Sequence, residues 1–266
     1  MNSVQKSAVS LFAVVGLASC GAPSIPTTFD ALVERGYVIV GLDDTFAPMG
    51  FRNDQNELVG FDVDLAKLVF ETLDIEVRFQ PIDWAAKVLE LDAGNIDMIW
   101  NGLTITEPRR LEMLFSDPYI ANRQIVLTKA ADTFDTIAEL ADKVVAAQLG
   151  SASEDAIKAN AIFEDLADFI TTDSFNDAIL QLDSSNVDAV VVDEIYGRYL
   201  ISQNPGEYRV ITETLGDEFY GIGFRLGNTT IRDTVNDTLF DLIESGEALA
   251  IAEAWFAEDV FLDRVA

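Results

Sequence analysis

The sequence predicts an α/β protein of two lobes, joined by two crossings of the chain, with a cleft between them. Three observations carry this. From Thr28 onward, short apolar runs alternate with segments of helical period, the βαβα order that builds parallel sheets covered on both faces. The length, 266 residues, exceeds one small domain and suits two of roughly 100–150 residues. The chain also ends in two amphipathic helices, Thr229–Ser245 and Gly246–Trp255, with no later strand for them to cover. They must pack on a lobe already built, so the chain is expected to leave the first lobe near Ala121 and re-enter it near Leu215. The expected first lobe is 29–121 with 216–266, the second is 122–215, and two crossings make a two-strand hinge.

The elements follow in order. Tyr37–Val40 reads as a strand and Phe61–Leu73 as a helix with Leu65, Leu68 and Val69 on one stripe. Ile75–Phe79 is a strand, Trp84–Ala93 a helix and Ile96–Trp100 a strand. Further strands are expected at Gln124–Thr128, Lys143–Ala147 and Val187–Val192, with helices at Ser151–Ala161, at Ser174–Leu182 and from Asp193 through Tyr199. No repeat, low-complexity tract or heptad seam interrupts the pattern.

One stretch points to chemistry. The strand at Ile96–Trp100 delivers the chain into Asn101-Gly102-Leu103-Thr104-Ile105-Thr106-Glu107-Pro108-Arg109-Arg110. Thr106 suits an N-cap and Pro108 the first turn of the helix that follows, which turns Arg109 back over the strand end. Free backbone N–H groups, a hydroxyl and a guanidinium fork at the carboxyl end of a strand suit a carboxylate held bidentately. The bland alternative for Arg109 is a solvated charge like Arg110.

Composition excludes several classes. The 17 basic and 46 acidic residues give a net charge of −29, which repels nucleic acid. There is no histidine and the only cysteine is Cys20, so Ser-His-Asp and Cys-His catalysis, imidazole metal sites and an intramolecular disulfide are all impossible. No cofactor or metal is expected: Asp54-Gln55-Asn56-Glu57-Leu58 has Leu where a calcium loop needs an oxygen ligand. The N-terminus has a single charge, Lys6, before an apolar run from Ala8 to Leu17 that is too short to span a bilayer. It ends in Leu17-Ala18-Ser19-Cys20-Gly21, which resembles a bacterial lipoprotein signal. Residues 1–19 are therefore expected to be a cleaved signal peptide. Residues 20–28, with Pro23 and Pro26, then form a tether anchored through lipid on Cys20.

Six segments carry a further resemblance. They are Gly41-Leu42-Asp43 through Pro48, Leu58-Val59-Gly60-Phe61-Asp62-Val63-Asp64-Leu65-Ala66, Thr104 through Arg109, Phe115-Ser116-Asp117-Pro118-Tyr119, Gln148-Leu149-Gly150-Ser151, and Asp188-Ala189-Val190-Val191-Val192-Asp193. In this order and spacing the chain resembles the periplasmic or lipoprotein amino-acid-binding proteins of ABC importers, solute-binding family 3, with the type II periplasmic-binding fold. The resemblance spans nearly the whole mature sequence. It implies a monomer that closes on a free L-amino acid outside the cytoplasmic membrane and docks on permease subunits. Arg109 would clamp the ligand α-carboxylate, helped by Thr104 and by backbone near Asn101, Gly102 and Ser151. Asp193 would take the α-ammonium. Phe46 and Trp84 would sandwich the ligand side chain, with Asp43 near its far end and Gln148 at a position that varies with specificity.

Each role has a plainer alternative. For Ser151, which opens a helix, the plain alternative is an N-cap, a use compatible with presenting N–H groups to an anion. Asp193 could cap the helix that follows it, Asp43 could be a turn residue, and Phe46 and Trp84 are core candidates by type. A carboxylate beside aromatic faces favours a cation, so lysine or arginine leads, with glutamine or cystine open and an acidic amino acid disfavoured. The competing function is an enzyme on the same scaffold, similar to the cyclohexadienyl dehydratases. It would need a general acid, for which Glu107, Glu194 and Glu218 are available without a motif.

Overall fold

Strand and helix alternate from the start of the described chain; the computed structural model describes residues 25–264, so Cys20 and the signal-like segment lie outside the described residues. In the first lobe, Thr28 caps α1 (Phe29–Arg35) by accepting the Ala31 N–H, and Gly36 ends it at a φ of 81°. Next come β1 (Tyr37–Leu42), then β2 (Thr45–Phe46), β3 (Gly50–Arg52) and β4 (Leu58–Val59), the last three forming a small antiparallel sheet of their own. α2 (Phe61–Thr72) buries Phe61, Leu65, Val69 and Phe70. β5 (Glu76–Pro81) lies parallel to β1 along its whole length. A 3₁₀ turn at 84–86 runs into α3 (Lys87–Ala93), and β6 (Met98–Ile99) flanks β1 on its other side. α4 (Glu107–Arg110) and β7 (Met113–Phe115) follow.

The chain then passes through β8 (Ile120–Lys129) into the second lobe. There β9 (Val144–Gln148), α5 (Ala152–Ala159), β10 (Asp168–Thr172), α6 (Phe175–Asp183), β11 (Ala189–Asp193) and α7 (Glu194–Gln203) repeat the alternation. The chain returns along β12 (Tyr208–Tyr220) and finishes with β13 (Gly223–Arg225), α8 (Thr229–Glu244) and α9 (Leu249–Phe256). The sheet orders are β5-β1-β6-β13-β7 and β10-β9-β11-β8-β12. The terminal helices pack on the first lobe, α8 against α1 and α2, with Ile231, Val235 and Leu239 buried. The last described residues return to the foot of the crossing, where Leu262 donates its N–H to the Tyr119 carbonyl.

The sheets are mixed rather than purely parallel, which corrects the expectation. β13 runs antiparallel to β6 and β7, and β8 antiparallel to β11 and β12. The reason is topological: a strand returning from the other lobe enters its sheet from the opposite direction. β8 and β12 pair from Tyr208 opposite Lys129 to Tyr220 opposite Ile120, one long ribbon between the lobes whose register shifts near Thr214. β11 is apolar from Ala189 to Val192 because both its faces are covered: Val190 and Val192 pack toward Phe175 and Leu182, Val191 toward Val145 and Ile157.

Candidate functional site

The loops that leave the carboxyl ends of β1, β6, β9 and β11 face one another across the cleft, where open α/β sheets bind ligands. All ten residues singled out in the sequence, from Asp43 to Asp193, reach the wall of one cavity, joined there by Ala152 and Phe175.

On one side stands Arg109. Thr106 caps α4 by accepting the Arg109 N–H at 3.3 Å, with Pro108 in the first turn, so the Arg109 side chain turns inward and is only 6% exposed. Its Nη1 donates to the Thr104 carbonyl at 2.8 Å, and its Nη2 crosses the cleft to the Gly150 carbonyl at 3.1 Å. Burial pulls the guanidinium below its ordinary pKa, while Asp155, Glu218, Asp193 and Glu112 pull it up. Thr104 lies between the hydrogen bonds Gly221 N–H to Leu103 and Ile105 N–H to Phe219, so its own N–H points away from β12. Ser151 caps α5: its hydroxyl accepts the Glu154 N–H and donates to the Gln148 carbonyl, leaving the first turn of the helix, at Ala152, on the cavity wall.

Several donors expected to be free are used internally. The Gly102 N–H donates to Asp62 Oδ2 at 2.7 Å, and the Thr104 hydroxyl donates to Glu218 Oε1 at 2.9 Å. Buried polar groups find partners wherever geometry allows, and here the acceptors come from segments distant in sequence. Asp62, completely buried, also accepts from the Tyr119 hydroxyl at 2.8 Å. Burial pushes its carboxyl up to about 7, and the hydrogen bonds from Tyr119 and Gly102 only partly offset this. Its role is to fix Gly102, whose φ of +55° and close approach to the Phe46 and Tyr220 rings leave no room for a Cβ.

Opposite Arg109 is Asp193, at the end of β11. It occupies the cap position of α7 but makes no side-chain cap bond. Instead its Oδ1 accepts from Asn122 Nδ2 at 2.7 Å, Gln124 Nε2 at 3.1 Å and the Tyr220 hydroxyl at 2.6 Å. The same two amides donate to Glu218 Oε1, at 2.6 and 2.9 Å. Burial first, and then the neighbouring Glu218 charge, hold Asp193 well above the ordinary carboxylate range. A cation placed there relieves both effects. Asn122, Gln124, Tyr220 and Glu218 sit on the crossing strands, so this end of the site is wired into the hinge.

The third corner is Asp43. Its Oδ1 accepts from the Thr45 N–H and hydroxyl at 2.9 and 2.6 Å, which is the turn role considered above. Its Oδ2 takes Gln148 Nε2 across the cleft at 2.7 Å, so it faces the cavity as well. Burial raises its pKa, partly offset by these hydrogen bonds. Asn101 anchors the Asp43 backbone through Oδ1 at 3.1 Å, while its buried Nδ2 has no partner among the described residues. Phe46 belongs to an aromatic stack with Phe175 and Tyr196, at centroid distances of 5.6 and 5.8 Å. Trp84 borders the cavity and also packs with Leu91 and Ile96. Sequence reasoning missed Phe175 and Tyr196, which fall inside expected helices without a signal of their own.

With that geometry in place, comparison with known proteins is decisive. The pattern of the bacterial extracellular solute-binding proteins, family 3, matches residues 38–258. The chain belongs to this family. It is 30% identical over 229 residues to the L-cystine-binding protein TcyJ of Escherichia coli K12, covering 85% of each chain. Among solved structures it resembles an ABC uptake transporter substrate-binding protein from Streptococcus pneumoniae with bound histidine, at a TM-score of 0.85 and 33% identity, over 88% of this chain and 98% of that one. It also resembles an ancestral arginine-binding protein bound to arginine, at a TM-score of 0.79 and 37% identity, over 84% of this chain and 99% of that one. For a family 3 solute-binding protein, the carboxylates weighed as general acids are poorly placed for catalysis. The Glu107 side chain is 94% exposed, and Glu194 is paired with Arg123 and Arg198. Glu218 Oε1 is occupied by hydrogen bonds from the Thr104 hydroxyl and the Asn122 and Gln124 amides.

Proposed function

We propose that this protein is an extracytoplasmic receptor that binds one polar amino acid, basic by preference, and hands it to the permease of an ABC importer. The carrying observation is the convergence of Arg109, Asp193 and Asp43 on a single cavity between the lobes. Arg109 and the start of α5 take the α-carboxylate, Asp193 with Glu218 behind it takes the α-ammonium, and Asp43 with Gln148 reads the far end. Phe46 and Trp84 hold the stem or guanidinium plane between them. Arginine and lysine lead because the third corner is a buried carboxylate; glutamine and cystine remain within reach of a donor–acceptor pair such as Gln148. Relatives named for cystine, histidine and arginine support the amino-acid class. The protein acts as a monomer, held at the outer face of the membrane by lipid on Cys20.

A thermal-shift screen of the common amino acids and cystine tests this, since a ligand that binds only the folded state raises its melting temperature. Arginine or lysine should give the largest shift. A panel in which no amino acid moves the transition, or in which glutamate or leucine leads, refutes the reading.

A further inference from the structure

Lys87 is a buried lysine with no role in the site just described. It is 5% exposed and is not part of the cavity wall. It opens α3 in the first lobe, yet its Nζ reaches across the cleft to the Gly150 carbonyl at 2.8 Å, with a second hydrogen bond to the Trp84 carbonyl at 3.1 Å. Its ammonium also lies 5.0 Å from the centroid of the Trp84 ring. The receiving turn is shaped for close approach. Gly150 holds a φ of +72°, and a Cβ there would sit 3.1 Å from Ala85 Cα and 3.5 Å from Lys87 Nζ. The lobes therefore touch at this point through backbone, with the carbonyl of one lobe capped by a cation of the other.

We propose that Lys87 is a closure latch: by donating to the Gly150 carbonyl it stabilises the closed over the open arrangement of the lobes, and so sets affinity without touching the amino acid. Two other cleft-spanning bonds, from Arg109 to Gly150 and from Gln148 to Asp43, involve residues on the cavity wall, where a ligand competes for them. The Lys87 bond is free of that competition. It is also coupled to the ligand indirectly. Arg109 donates to the same carbonyl and repels the Lys87 ammonium, while Asp155, Glu112 and Glu154 attract it. Burial, followed by Arg109, pushes Lys87 down to about 7. A carboxylate seated on Arg109 offsets that repulsion, so the latch holds best when the cleft is filled.

The ligand-dependent part rests on the amino-acid reading above; the ligand-free part does not, and this separates the two. Spin labels at Asp92→Cys and Ala159→Cys, exposed positions in opposite lobes, report the cleft opening in a Cys20→Ala background. Lys87→Met, which keeps the stem and removes the donor, should shift the ligand-free distances toward the open form. It should also speed L-arginine dissociation about 10-fold, the effect of one lost hydrogen bond to a charged group, with association unchanged. Gly150→Ala attacks the same contact from the other lobe and should shift the distances the same way even if Lys87→Met fails to fold. Unchanged distances in a folded variant overturn the latch whatever amino acid binds. So does an affinity loss in Lys87→Met carried wholly by slower association.

Discussion

Replacing Arg109 by lysine keeps the charge and removes the fork, and the structure gives the size of the effect. The guanidinium already holds two carbonyls, Thr104 at 2.8 Å and Gly150 at 3.1 Å, and presents its remaining donors to the cavity. A lysine ammonium cannot reproduce this planar arrangement while also meeting a carboxylate side-on. Losing a charge-assisted bidentate pair in a closed cleft costs on the order of 2–5 kcal/mol, roughly 30- to several-thousand-fold in Kd. Arg109→Ala should lose at least as much and also leave the Thr104 and Gly150 carbonyls without that donor. Isothermal calorimetry with L-arginine, alongside circular dichroism to show that the variant is folded, makes the measurement. Arg110→Ala is the control: its side chain is 49% exposed and only 3.7 Å from Glu107, an exposed pair that contributes about 0–1 kcal/mol. Near-native affinity in a folded Arg109→Lys protein would refute the assignment of the carboxylate seat.

Three further outcomes are expected. Asp43→Asn should weaken lysine or arginine far more than glutamine at physiological salt, because only the cations lose a charge partner; equal weakening of all three sinks the third corner of the site. Asp62, with a folded-state value of about 7 against 3.8 in the unfolded chain, holds its proton longer when folded. Its contribution to stability is therefore present at low pH and lost as pH rises from about 4 to 7. Relative to Asp62→Asn, which does not titrate, wild-type stability should fall on the order of 4 kcal/mol across that window in denaturant titrations; a pH-independent difference contradicts a buried, proton-holding Asp62. Cys20→Ala should release the protein from membrane fractions, and a wild-type protein left unlabelled by a radioactive fatty acid rules out the anchor.

The sequence made some parts legible and hid others for physical reasons. Buried central strands such as β11 announce themselves because both faces are apolar. The crossing strand β12 does not: its run Thr212-Glu213-Thr214-Leu215-Gly216-Asp217-Glu218 is polar and mostly exposed on a sheet edge, with no two-residue period, and looks like loop. The β6 strand was expected over five residues and spans two, since Trp100 already begins the turn into Asn101 and Gly102. At the site, residues with local signatures could be read: Arg109 after its cap and proline, Ser151 after Gly150, Asp193 at the end of an apolar run. Asn122 and Gln124 could not, because polar residues on a hinge strand that point inward have the same period as ones that point to water. Lys87 gave no signal, sitting where a helix surface would carry any lysine.

The failed expectation about free donors shows what the site is built to do. A sequence displays donors and acceptors but not their pairing across 40 or 100 positions, so Gly102 looked open although Asp62 holds it. Once the internal pairs are assigned, what faces the cavity is a set of charges that do not neutralise one another: Arg109 on one wall, Asp193 backed by Glu218 on the second, Asp43 on the third. Bringing such groups out of water separately is costly, and the cost falls when opposite charges meet them. On the proposed reading a zwitterion with a cationic end supplies a partner for each corner at once, whereas closing the lobes without one leaves all three to the internal hydrogen bonds alone. Ligand binding and closure are then one equilibrium. The contacts that belong only to closure, above all Lys87 on Gly150, are where that equilibrium can be tuned without altering what is recognised.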